Sequence, residues 1–130
     1  MRLVAATLSL LILSACGSSS VAPSTPFSRE VGVAQGATTK VTSGLTVKFI
    51  GVTGDSRCPA DAICIQGGDA IVKLQVVSGG SSNEIELHTG SQQPVTSGGV
   101  TYELVQLMPY PFSSGPIAPG DYRLTLRVTR

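Results

Sequence analysis

The final stretch of the chain, Tyr122-Arg123-Leu124-Thr125-Leu126-Arg127-Val128-Thr129, alternates without interruption between apolar and polar residues. Neighbouring side chains on a β-strand point to opposite faces, so Tyr122, Leu124, Leu126 and Val128 share one face and the polar residues the other. On a helix the same four would spread around the axis and could not be buried together. The period recurs upstream, at Leu45, Val47 and Phe49, at Val72, Leu74 and Val76, at Ile85 and Leu87 within Glu84–His88, and at Val100, Tyr102 and Leu104. From Val105 to Met108 the run becomes largely apolar on both faces and is expected to enter a covered region. Further strands are expected over Glu30–Ala34 and Thr38–Thr42.

Turn residues separate these runs: Ser43-Gly44, Gly79-Gly80, Ser97-Gly98-Gly99 and Ala118-Pro119-Gly120-Asp121. Strands with one polar face are the mark of antiparallel sheets. Tryptophan is absent and the aromatic residues are few, so the core must be mostly Val, Leu and Ile, which favour strands. Roughly seven strands in about 100 residues predict an all-β, antiparallel β-sandwich, immunoglobulin-like, with a partly open β-barrel as the alternative. Tyr122, just after a Pro-Gly-Asp turn, is placed either to bond back across a corner or simply to fill the core.

The first residues follow another rule. Arg2 precedes an apolar stretch from Leu3 to Leu13, broken by Thr7 and Ser9. A membrane-spanning helix needs about 20 residues, so this stretch is too short to span and has the size of a secretory h-region. It closes on Leu13-Ser14-Ala15-Cys16, which resembles the lipobox of bacterial lipoproteins. The resemblance implies a signal peptide over 1–15 and acylation of Cys16, with more than one chain giving a stable anchor. A Ser/Pro-rich tether then runs over 16–29, before a folded domain over 30–130. Gly17 is not the aspartate of inner-membrane retention, so the resemblance further implies the outer membrane in a double-membraned cell.

Loss of Arg2 with the leader balances the charges, and like charges nowhere cluster. No electrostatic footprint for nucleic acid exists, nor a polybasic patch for lipid headgroups. The expected partners are the membrane, through the lipid on Cys16, and an envelope protein or a small ligand. With Cys16 taken by lipid, Cys58 and Cys64 remain as an even pair, expected to form a disulfide in an exported protein. Closing a ring of seven residues stabilises by about 2.4 kcal/mol in the chain-entropy model.

The cysteines sit in Gly54-Asp55-Ser56-Arg57-Cys58-Pro59-Ala60-Asp61-Ala62-Ile63-Cys64-Ile65-Gln66-Gly67-Gly68-Asp69-Ala70. This segment resembles a block of small exported bacterial proteins without an assigned activity, in which D-S-R-C-P is followed by a second cysteine and a C-x-x-G turn. Many of those carry tryptophan where this chain has Gln66. The resemblance implies an exported β domain with a disulfide loop, and no reaction. From the residues themselves, Asp55 suits an Asx-type turn, and Arg57 is a forked donor that can bond loop carbonyls or pair with Asp55 or Asp61. Both are expected to brace the loop.

Sharper chemistry is thinly supported. His88 is the only histidine and no G-x-S-x-G motif is present, so no catalytic residues are assigned. Asp55, Asp61, Asp69 and His88 match no calcium loop, and no metal or cofactor is expected. Glu84 and Glu86 share the polar face of a strand, as solvated charges do. Pro109-Tyr110-Pro111-Phe112 puts two aromatics on a proline-stiffened loop, and Tyr110 and Phe112 are the candidate partner-binding residues. The function expected is that of a non-enzymatic binding or structural module on a lipid anchor. The alternative is a thiol–disulfide redox protein using Cys58 and Cys64.

Overall fold

The computed structural model describes Gly17 and residues 25–130. The leader, Cys16 and most of the tether lie outside the described residues. Eight strands follow: β1 (Ser28–Ala34), β2 (Thr38–Thr42), β3 (Leu45–Asp55), β4 (Ala70–Ser78), β5 (Ser81–His88), β6 (Val95–Ser97), β7 (Val100–Met108) and β8 (Arg123–Thr129). They form two four-stranded antiparallel sheets, ordered β1-β8-β7-β6 and β2-β3-β4-β5. This is a sandwich, as the alternation predicts, and not a closed barrel.

The strand order departs from the expected immunoglobulin one. Strands β2 to β5 and β6 to β8 pair as meanders, with β1 added beside β8, whereas an immunoglobulin sandwich interleaves its sheets by Greek-key connections. Tight glycine turns account for part of this. Gly79 and Gly80 both have positive φ between the paired residues Ser78 and Ser81, and Gly98 and Gly99 do the same between Ser97 and Val100. Two-residue turns of that kind force sequence neighbours to lie side by side.

The inward-facing residues behave as their period demands. Leu45, Val47, Phe49, Val72, Leu74, Val76, Leu87, Leu124, Leu126 and Val128 are buried between the sheets, with Tyr102 and Tyr122. The fold begins a little before the expected Glu30: β1 starts at Ser28, and Phe27 exchanges backbone hydrogen bonds with Arg130. One expectation fails. Val105, Gln106 and Met108 are exposed rather than covered, because a β-bulge shifts the β7–β8 register between Leu104 and Gln106. Strand β6 carries too few residues to show a period, and two bulges in β3 hide its extension from Phe49 to Asp55.

The two ends of the sandwich differ. Ser28 and Thr129 sit at one end, together with the short hairpin turns; Arg130 bonds to Ser78 there, linking the sheets. At the other end lie the long connections β3–β4 (56–69), β5–β6 (89–94) and β7–β8 (109–122). One seven-residue strand at about 3.4 Å per residue separates the ends by about 24 Å.

Candidate functional site

The long-connection end is organised by Arg57. Asp55 closes β3, and the chain turns so that Arg57 folds back onto it. Arg57 Nε donates to Asp55 Oδ1 at 2.8 Å and Nη2 to Oδ2 at 2.7 Å, a two-pronged pair. Nη1 donates to the carbonyl of Leu107 at 2.8 Å, and Nη2 also to that of Pro109 at 2.9 Å. From β8's side the Tyr122 hydroxyl donates to Asp55 Oδ2 at 2.9 Å. The two charged side chains are only 6% and 11% exposed, although the Asp55 backbone is open to solvent. One ion pair therefore ties β3 to the end of β7, the start of β8 and the loop between them.

Burial of this kind needs compensation on every polar atom, and the network supplies it. Burial alone would raise the Asp55 carboxyl, but the hydrogen bonds from Arg57 and Tyr122 outweigh it and hold the group below its ordinary 3.8. Burial and then the Asp55 carboxylate push the Tyr122 hydroxyl up to about 12. Asp55 and Arg57 thus tie the start of the disulfide loop to the ends of β3 and β7. Asp61, the other carboxylate within reach by sequence, serves a different partner.

Cys58 and Cys64 form a disulfide, with their Cα atoms 5.9 Å apart. The disulfide loop docks on the proline loop. Ala60 N–H donates to the Pro111 carbonyl at 2.9 Å, and Asp61 accepts the Ser113 N–H at 2.9 Å and also its hydroxyl. The Met108–Pro109 peptide bond is cis, and the Arg57 guanidinium lies 5.4 Å from the centre of the Tyr110 ring. Gly68 lets the loop return: a Cβ there would sit 1.5 Å from the Ser56 carbonyl oxygen. Two regions read separately in the sequence are thus one cap.

The cap leaves apolar side chains in water. Tyr110 and Phe112 are about half exposed, at 49% and 55%, rather than tucked into a satellite core. Ile63 and Ile65, on either side of Cys64, are fully exposed. Nothing in the period of the sequence singles these isoleucines out, because a ring closed by a disulfide needs no apolar core. Nor does sequence pattern reveal the Asp61–Ser113 contact, which joins residues from two irregular loops.

Beside the cap, Asp69 Oδ2 accepts from His88 Nδ1 at 2.5 Å, and its Oδ1 accepts from Gly90 N–H at 2.8 Å and the Thr89 hydroxyl at 3.3 Å. Burial works against the Asp69 carboxylate, but these partners hold its pKa below the ordinary value. The pair fastens the β5–β6 connection to the end of the disulfide loop. Glu84 and Glu86 are exposed on β5, Glu86 facing Lys73 at 3.6 Å. Among the described residues no three His, Cys, Asp or Glu side chains gather as a metal site would require. A cleft of about 280 Å³ opens between the return of the disulfide loop, the β5–β6 connection and β7. No family model, curated protein or solved structure matches this chain.

Proposed function

We propose that the chain is a lipid-anchored protein of the bacterial envelope that works as a non-enzymatic binding module. Its cap would be presented to an envelope protein. The carrying observation is directional. The chain enters the sandwich at Ser28 from the side of the tether, and the cap with Ile63, Ile65, Tyr110 and Phe112 lies at the opposite end. A domain held by lipid on Cys16 would turn that end away from its own membrane. Exposed aromatic and aliphatic side chains on cross-braced loops suit a binding surface, because rigid anchors lose little conformational freedom on association. The lipid, the outer-membrane location and the absence of catalysis belong to this reading and rest on the L-S-A-C pattern and on the missing catalytic motifs.

The thiol–disulfide alternative has weaker support. Arg57, next to Cys58 in sequence, spends its donors on Asp55 and two carbonyls. Cys58 Sγ lies 3.6 Å from the carbonyl oxygens of Pro59 and Ala62, whose partial negative charge disfavours a thiolate.

Photoreactive residues placed in cells at positions 65 and 112, and separately at 43 and 81 on the hairpin end, test the reading. Cross-links to one discrete protein from the first pair alone are expected. Equal labelling from both ends, or none from the cap, would overturn it.

A further inference from the structure

The cleft beside the cap has a composition that neither the anchor nor the exposed cap surface explains. Two departures from regular backbone point into it. Gln92, with φ 48°, is the one non-glycine residue of positive φ among the described residues, and it lines the cleft. Glycine would adopt that conformation at no steric cost, whereas a side chain there is strained. The β7 bulge supplies the second departure, placing Val105 and Gln106 together on the same wall. Strand β6 pairs with β7 only from Val100 to Tyr102, so no strand lies alongside the β7 wall of the cleft on that side. Arg57 already takes the Leu107 carbonyl at its far end.

The chemistry of the lining is uncharged. Arg57 is matched by Asp55, Cys58 is in its disulfide, and the other lining residues carry no formal charge at neutral pH. A charged ligand would lose its hydration and meet no free counter-charge. Hydrogen-bonding capacity is ample: among the described residues only Gln75 uses its side-chain amide in a hydrogen bond, so Gln92 and Gln106 keep theirs. Leu104, Val105 and the Tyr110 ring add an apolar surface. Hydroxyl or amide groups around a rim, an apolar ring face and no charge describe a neutral sugar.

We propose that this cleft binds an uncharged saccharide, with Gln92 and Gln106 bonding its polar groups and Val105 and Tyr110 contacting its ring. The probe is N-acetylglucosamine, titrated into the isotope-labelled full chain in detergent micelles and followed by backbone and glutamine-amide NMR shifts. Saturable shifts centred on Gln92, Val105 and Gln106 are expected, with glucosamine and glucuronate at least about tenfold weaker. Gln106→Leu should weaken binding about tenfold, the loss of one or two neutral hydrogen bonds, with the melting temperature unchanged. No saturation by about 50 mM, where even feeble millimolar sites fill, equal binding of the charged sugars, or shifts centred elsewhere would overturn the proposal. Phe112→Ser, which alters the cap but not the cleft, should leave sugar binding intact, so the cap and the cleft fail separately.

Discussion

Arg57 joins elements that no hydrophobic contact could hold in the same geometry. Its planar fork meets Asp55 at two points and reaches two carbonyls of a loop distant in sequence, while Tyr122 fills the remaining side of the carboxylate. Lysine, a single point charge, could not reproduce that pattern. Arg57→Ala would leave the Asp55 carboxylate buried and unpaired, which costs about 3 kcal/mol, and urea unfolding should show a loss of that size. A loss below about 1 kcal/mol, the scale of an exposed ion pair, would show that the network is only decorative.

The same residues set two pH limits of opposite sign. Asp55 titrates below 3.8 in the folded state, so its stabilisation is whole above that value and is lost as pH falls through the folded pKa. Tyr122 titrates at about 12 rather than 10.0, so its stabilisation is whole below pH 10 and is lost as pH rises towards 12. Tyr122→Phe should cost about 1 kcal/mol at neutral pH. It should also flatten the decline of stability above pH 10, as read by denaturation across that range. An alkaline limb identical to that of the parent protein would contradict this assignment.

At the scale of elements, the cap is two irregular loops made rigid by each other. The disulfide closes one, and Ala60, Asp61 and Arg57 stitch it to the other. Replacing both Cys58 and Cys64 with serine should cost about 2.4 kcal/mol, the ring-closure value, because the stitching contacts can still form. Exchange of the Ser113 amide with deuterium should stay slow in that variant if the stitching is independent of the disulfide. Rapid exchange there would mean that the ring holds the proline loop indirectly.

The strands were legible because burial on one face imposes a period of two, as at Tyr122–Thr129, and the hairpins at 79–80 and 98–99 because paired glycines adopt the positive φ that a two-residue turn requires. The bulges at Val52–Gly54 and at Val105 were not, since an inserted residue breaks the period without leaving a compositional mark. The cap was half legible. The disulfide, Asp55 and Arg57 carry their chemistry in their residue types, whereas the pairing of Asp61 with Ser113 and the exposure of Ile63 and Ile65 depend on how two loops meet in space.

At the scale of the whole molecule, the meander separates the end where the chain enters the sandwich from the end that carries the cap. Every tight hairpin lies at the end where the chain arrives, and each long connection lies at the other. Without Arg2 the acidic and basic side chains would balance, so a domain freed of its leader would have no net electrostatic attraction to headgroups, and its position at a membrane would depend on the lipid alone. One acyl chain binds only marginally, and a permanent anchor requires at least two. The most direct test is the intact mass of the protein recovered from the envelope of a cell that expresses the full chain. A polypeptide beginning at Cys16 and carrying two or three acyl chains on that residue is predicted. A polypeptide that begins elsewhere, or that carries Cys16 unmodified, would contradict the anchored module and remove the reason for its cap to face away from the membrane.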